Sequence, residues 1–267
     1  MATESLTSVA VYRRTIWASL TRVWENVLDW EHLPWLHRSS FSEIKLLDSG
    51  AWGWCARVGL RSADLRQEIE VELRIDREKR RYVTRTTAGV GQRSEIRTCL
   101  EVLGEQETGI EVEFLLPGVN PEWADSIGTA YTRLYTRLWD EDEAMMMRRE
   151  AMLSQRDSAR GAARMPLALG TLEEVRERLP LLVELGGQSF RVVEVEGTLV
   201  AHSTLCPHSL GPLGDAVVED GCIRCPWHGY RFDLRTGRSC DGRNLRLASA
   251  PRVQVDPDGT RVQLIWD

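Results

Sequence analysis

Cys206-Pro207-His208-Ser209-Leu210-Gly211-Pro212, with sixteen residues between His208 and a second run, Cys225-Pro226-Trp227-His228-Gly229-Tyr230, decides the reading of this chain. Two thiolates and two imidazoles can hold a [2Fe–2S] cluster, with Cys206 and Cys225 on one iron and His208 and His228 on the other. Thiolate suits the iron that stays ferric. Neutral imidazole puts less negative charge on its iron, so that iron takes the electron and the potential rises above that of an all-Cys cluster. Each ligand pair is followed by a Gly-containing turn. Between them Asp220-Gly221 signals a hairpin, flanked by Ala216-Val217-Val218 and Cys222-Ile223-Arg224. A mixed Cys/His set also serves structural zinc, though zinc knuckles rarely wrap Cys-x-His and Cys-x-x-His around a hairpin.

The segment from Cys206 to Gly237 also contains Gly211-Pro212-Leu213, Phe232-Asp233-Leu234 and Thr236-Gly237. It resembles a Rieske domain of the ferredoxin and oxygenase branch. In the respiratory-complex branch each loop carries an extra Cys, and the two form a disulfide. Leu210, Gly211, Pro212 and Trp227 stand there in this chain, so the resemblance implies no such disulfide. Cys222 and Cys240 read as ordinary buried or surface thiols.

Outside these loops the chain reads as a second domain. Its 267 residues allow one large or two ordinary domains. A net charge of −6 argues against nucleic acid or an anionic membrane as the main partner. Six Cys, two of them given to the cluster, are no disulfide framework and point to a reducing, cytoplasmic setting. The N-terminal segment is too polar for an export signal, and no apolar run reaches membrane-spanning length. The ten Trp fill cores or line an apolar cavity.

Residues 8–16 alternate as a strand. Ser19 caps a helix with Leu20, Val23, Trp24, Val27 and Leu28 at helical spacing, and a short helical piece spans Trp30–Leu36. Six strand-like runs follow: Ser42–Asp48, Trp52–Gly59, Leu65–Ile75, Arg81–Thr87, Ser94–Leu103 and Ile110–Leu116. After Pro117–Pro121 a long helix runs from about Glu122 to about Gln155. This order predicts an α+β domain and resembles the helix-grip fold of the START-like (SRPBCC) superfamily, an antiparallel sheet around a long C-terminal helix with a ligand cavity between them. The expected organisation is a helix-grip catalytic or ligand-binding domain over 1–153, a linker over 154–165, and a small all-β Rieske domain over 166–267, whose Thr171–Glu174 carries a capping-box signature.

The first domain holds Asp29-x-x-His32-x4-His37. Two His and one carboxylate on one side of Fe(II), with other positions open, are the ligands of oxygen-activating non-haem iron enzymes. The catalytic domains of Rieske oxygenases have a helix-grip fold and begin their iron site with Asp-x-x-His-x4-His, which Asp29, His32 and His37 match. The resemblance implies a third ligand, an Asp on the long helix. Among Asp140-Glu141-Asp142-Glu143, Asp142 continues the apolar face of Leu134 and Leu138, and Asp140 continues the polar face of Thr132 and Thr136. Asp142 is therefore the expected ligand, with Asp140 as the fallback. The resemblance also gives Asp29 a catalytic role, hydrogen-bonding an iron-ligand His and a cluster His across a subunit boundary, as in a head-to-tail homotrimer. Familiar Rieske oxygenases place the Rieske domain first, and this chain reverses that order.

The expected function is that of a Rieske-type non-haem iron oxygenase. It would take electrons from an external NAD(P)H-dependent reductase or ferredoxin through the [2Fe–2S] cluster to a mononuclear Fe(II), and hydroxylate or oxidatively demethylate a small hydrophobic substrate with O2. The alternative is a hydrophobic-ligand-binding domain fused to an electron-transfer ferredoxin, with no mononuclear iron. Convergence of Asp29, His32, His37 and Asp142 separates the two.

Overall fold

A computed structural model describes residues 5–61, 66–158 and 165–266. The chain divides into two compact units, Met1–Met147 and Arg148–Asp267.

The first unit opens on strand β1 (Leu6–Ile16), followed by helix α1 (Leu20–Leu28), a single 3-10 turn (Trp30–His32) and the short helix α2 (Leu33–Leu36). Strands β2 (Phe41–Gly50), β3 (Gly53–Arg61), β4 (Arg66–Asp76), β5 (Arg81–Gly89), β6 (Glu95–Gly104) and β7 (Glu107–Pro117) come next, and helix α3 (Pro121–Ser158) ends the series. All seven strands form one antiparallel sheet in the order β1-β7-β6-β5-β4-β3-β2. Neighbours in sequence pair through hairpins. Among the described residues of this sheet, the β1–β7 pairing alone joins distant parts of the chain, with Tyr12 opposite Val112. Gly53 begins β3 at φ 129, and a Cβ there would stand 1.9 Å from the Leu73 carbonyl oxygen on β4. The β2–β3 turn is therefore closed to any other residue.

Helix α1 begins where the Ser19 side chain accepts the Arg22 N–H, and it buries Val23, Trp24 and Val27. Helix α3 packs on the sheet through Tyr131 and Tyr135, whose rings lie 5.0 and 4.7 Å from that of Phe114 on β7. Ile16, Val23, Ala56, Val112 and Phe114 are the driest part of the core beneath it. This is the helix-grip architecture read from the sequence: an antiparallel sheet, two short helical pieces and one long C-terminal helix. Helix α3 continues to Ser158, because residues 150–158 contain neither Gly nor Pro to stop it. Residues 159–164 of the expected linker lie outside the described residues.

The second unit is small and mostly β. Strand β8 (Leu167–Gly170) leads into helix α4 (Leu172–Glu177), whose start is fixed by a capping box between Thr171 and Glu174. Then come β9 (Leu181–Leu185), β10 (Gln188–Val195), β11 (Thr198–Ser203), β12 (Val218–Glu219), β13 (Cys222–Arg224), β14 (Arg231–Asp233), β15 (Arg252–Val255) and β16 (Val262–Ile265). They form three three-stranded sheets, β11-β10-β9, β12-β13-β14 and β15-β16-β8. The Asp220-Gly221 turn has positive φ at both residues, as a tight two-residue hairpin requires, and it sets Glu219 opposite Cys222. Phe190, Val192, Val175 and Leu264 are the dry centre of this unit.

Gly128 tests the grip of α3 on the sheet. A Cβ there would sit 2.3 Å from the Val9 carbonyl oxygen on β1. Gly→Ala inside a helix ordinarily stabilises by about 1 kcal/mol. Here Gly128→Ala should instead destabilise, by about 1–3 kcal/mol, because the strand has to move. Chemical denaturation followed by circular dichroism reads the sign, and a gain in stability would mean that α3 does not press on β1.

Candidate metal centres

Each loop of the second unit that carries a Cys/His pair closes on itself. In the first, the Cys206 N–H donates to the Gly211 carbonyl (2.9 Å) and the Leu210 N–H to the Cys206 carbonyl (3.0 Å). In the other, the Cys225 N–H donates to the Tyr230 carbonyl (2.8 Å) and the Gly229 N–H to the Cys225 carbonyl (2.9 Å). The positive φ of Leu210 and Gly229 makes these tight returns possible. The result aims all four candidate ligands inward. Cys206, Cys225 and His228 are buried, and His208 is half-buried. The His208 and His228 rings meet edge to face at 4.5 Å. The two thiols hydrogen-bond each other. Hydrogen bonding from Cys206 pulls Cys225 down to about 5 against its burial, and the same pairing pushes Cys206 up. Gly211 is the cradle: a Cβ there would fall 2.7 Å from the Cys225 sulfur. Two buried sulfurs on one side and two paired imidazoles on the other fit the mixed thiolate and imidazole donor set of a Rieske-type [2Fe–2S] cluster.

The second candidate centre lies in the first unit, between the segment after α1 and the middle of α3. Helix α1, which leads into that segment, is clamped near both of its ends. Trp54 on β3 donates its Nε1–H to the Val27 carbonyl (3.0 Å), and Thr108 on β7 donates its hydroxyl to the Ala18 carbonyl (2.8 Å). The 3-10 turn then places His32, and the end of α2 places His37, with both side chains buried. Their rings stand 5.1 Å apart. Asp142 comes to them from α3. Its Oδ1 lies 3.1 Å from His37 Nε2 and 3.5 Å from His32 Nε2. The donor atoms of all three lie within 4.8 Å of one another. Two ligands bound to one metal at roughly 2 Å each stand about 3 Å apart, so the spacing suits a shared ion.

The acidic run of α3 meets different partners around the helix, as about 100° of turn per residue dictates, with Asp140 and Glu143 sharing Arg14. Asp140 is exposed and pairs with Arg14 at 2.6 Å. Glu141 lies 2.6 Å from His37 Nδ1. A carboxylate only accepts, so Nδ1 carries a proton and Nε2 is left facing Asp142. Asp142 faces the two His. Glu143 returns to Arg14 and accepts the Trp17 N–H at 2.7 Å. Burial alone would lower His37, yet Asp142 and Glu141 outweigh it and its pKa is raised. Burial alone would raise Asp142, yet His37, His32 and the Asn26 amide hold it below the usual carboxylate range.

Glu141 and Asn26 are the members that sequence reasoning did not single out. Asn26 donates its Nδ2–H to Asp142 Oδ1 at 2.9 Å. Its position three residues after Val23, on the buried face of α1, was the available signal. Asp29 ends α1 and starts the 3-10 turn without a side-chain capping bond. It lines the same cavity as the triad. That cavity, of about 340 Å³, lies between the sheet and α3, with Val27, Trp54, Leu73, Tyr82 and Tyr135 among its walls. His32, His37 and Asp142 are part of its lining, so a metal there would meet an apolar ligand.

Comparison with known proteins agrees with the second unit. Residues 166–251 match the Rieske [2Fe-2S] domain. The ferredoxin component of the naphthalene 1,2-dioxygenase system of Pseudomonas aeruginosa is 38% identical over 94 residues, which is 35% of this chain and 88% of the ferredoxin. The ferredoxin subunit of anthranilate 1,2-dioxygenase of Burkholderia cepacia is 36% identical over 69 residues, 26% of this chain. There the match spans 64% of the relative, just under two thirds of its length. Over the first unit, the Zhui aromatase/cyclase from Streptomyces sp. R1128 is a similar solved structure. Its TM-score is 0.45 at 14% identity, covering 54% of this chain and 95% of that one. The chain belongs to the Rieske [2Fe-2S] family, with a helix-grip unit ahead of its Rieske domain. Among the described residues no helix is long and apolar enough to cross a membrane.

Three of the four acidic residues make the candidate metal site testable. Asp142→Ala should lower Fe(II) affinity by roughly 100-fold or more, Glu141→Ala by about 10–100-fold, and Asp140→Ala should leave it unchanged. Equilibrium dialysis against Fe(II) under anaerobic conditions measures all three. Equal loss for Asp140→Ala and Asp142→Ala would remove Asp142 from the site.

Proposed function

We propose that this chain is a Rieske-type non-haem iron oxygenase acting on a small hydrophobic organic substrate. What supports the reading is one conjunction. Two buried histidines and a buried carboxylate line the wall of an apolar cavity, in a chain that also carries a complete set of two Cys and two His for a cluster. A one-electron carrier needs an acceptor, and the histidine–carboxylate set is the acceptor site that the first unit offers. When bound, the cluster would deliver single electrons from an external NAD(P)H-dependent reductase or ferredoxin, and Fe(II) would activate O2 for hydroxylation or oxidative demethylation.

The chain's own residues define the rest. Cys206, Cys225, His208 and His228 would hold the cluster, and His32, His37 and Asp142 the Fe(II). Glu141 keeps the proton on His37 Nδ1 and so fixes the donor tautomer. Asn26 orients the Asp142 carboxylate. The apolar walls around Trp54, Leu73 and Leu138 bind the substrate and exclude water. Asp29 is assigned the acceptor role for an imidazole N–H, which holds the tautomer on the route of the electron.

A second reading keeps the cluster and drops the iron: a ligand-binding unit joined to an electron carrier. It is favoured by the relatives that the Rieske unit matches, which are ferredoxin components of dioxygenase systems. The two readings diverge when dithionite-reduced protein, freed of excess reductant, meets O2 in a stopped-flow cell. The oxygenase reading predicts cluster re-oxidation roughly tenfold or more faster in wild type than in Asp142→Ala or Asp29→Ala. Equal rates in all three proteins would leave the carrier.

A further inference from the structure

We propose that the arginine-rich ribbon beside the second ligand loop is the docking surface for a one-electron carrier protein with an acidic face. The chain has a net charge of −6, yet the stretch from Arg224 to Arg246 holds six arginines against two aspartates. Both aspartates are engaged with backbone. Asp233 accepts the N–H groups of Arg235 and Thr236, and Asp241 accepts the N–H of Arg231.

The arginines are set against one another. Arg224 stands directly opposite Arg231 in the β13–β14 pair, and Arg238 directly opposite Arg246 in the bridge that follows. Like charges directly opposite on one face weaken a ladder. Glu219 stands 4.0 Å from Arg224 and partly answers the first pair; an anionic partner would turn the repulsion of Arg238 and Arg246 into attraction. Arg238, Arg243 and Arg246 are exposed. Arg224 and Arg235 are bridged to Glu219 and Glu196.

The ribbon reaches the ligand set through one ring. The Arg243 guanidinium lies 3.9 Å from the centroid of the Tyr230 ring. Tyr230 in turn packs on the His208 and His228 rings at 4.6 and 5.7 Å. His208 is the ligand closest to solvent, since the other three are buried. The positive surface therefore sits where an electron has the shortest way in or out. Opposite charge there raises the encounter rate and orients the partner. This inference rests on electron transfer by the Rieske unit and is independent of the triad in the first unit.

Charged small oxidants test it on the full-length, cluster-loaded protein. The reduced cluster gives one electron to ferricyanide, forming ferrocyanide, or one electron to hexaammineruthenium(III), forming the ruthenium(II) complex. The ferricyanide rate should fall steeply as salt rises, and the ruthenium rate should rise. Arg238→Gln/Arg246→Gln should slow ferricyanide by up to about tenfold at low salt and leave ruthenium unchanged or faster. The EPR spectrum of the reduced cluster should not change, and thermal stability should hold or increase, since a repulsive pair is gone. A ferricyanide rate indifferent to salt, equal slowing with both oxidants, or a loss of stability would overturn the proposal. So would tight, Arg238- and Arg246-dependent binding of duplex DNA at physiological salt in a protein whose electron transfer the double substitution leaves unaltered.

Discussion

A carboxylate on the apolar face of a helix must be neutralised, and Asp142 is where the first unit meets that demand. Left alone in the interior it would be costly. Here it is answered from the other end of the chain by His32, His37 and Asn26. The sheet exists, in part, to make that meeting possible. Strand β7 closes onto β1, and the α1 segment is tied to β3 and β7 by Trp54 and Thr108. Helix α3, leaving β7, then lays its acidic run against the same segment. The ionic cluster carries little net stability for its burial. Its value lies in holding three donors around one point.

The second unit meets a comparable constraint with less material. Two loops of a few residues bring two sulfurs and two imidazoles together, and the closeness is set by Gly211, beside which the Cys225 sulfur leaves no room for a Cβ. Hydrogen bonds within each loop pair the backbone N–H groups of Cys206, Leu210, Cys225 and Gly229. The same loops place Tyr230 between the imidazoles and the arginines outside.

Much of this was legible in the sequence, for local reasons. Alternation over residues 8–16 and six strand-like runs after it marked the seven strands, Ser19 and Thr171 marked helix starts, and Asp220-Gly221 marked the hairpin between the ligand loops. The helical period separated Asp142 from Asp140 on different faces of α3. Long-range partners were not legible. Nothing in the spacing announces that Glu141 will reach His37, more than a hundred residues away, or that Glu143 will return to Arg14 and Trp17. Those pairings depend on how α3 crosses the sheet, which is set by Gly128 against β1 and by Tyr131 and Tyr135 against Phe114. The opposed arginines also stayed hidden, because cross-strand register is a tertiary fact.

The central claim is that one chain holds two different iron centres, and the iron and acid-labile sulfide content of the purified protein tests it most directly. The wild type should carry three irons for every two sulfides, falling to two irons and two sulfides when Asp142 is replaced by Ala. Two irons with two sulfides in a wild type supplied with excess Fe(II) would contradict it.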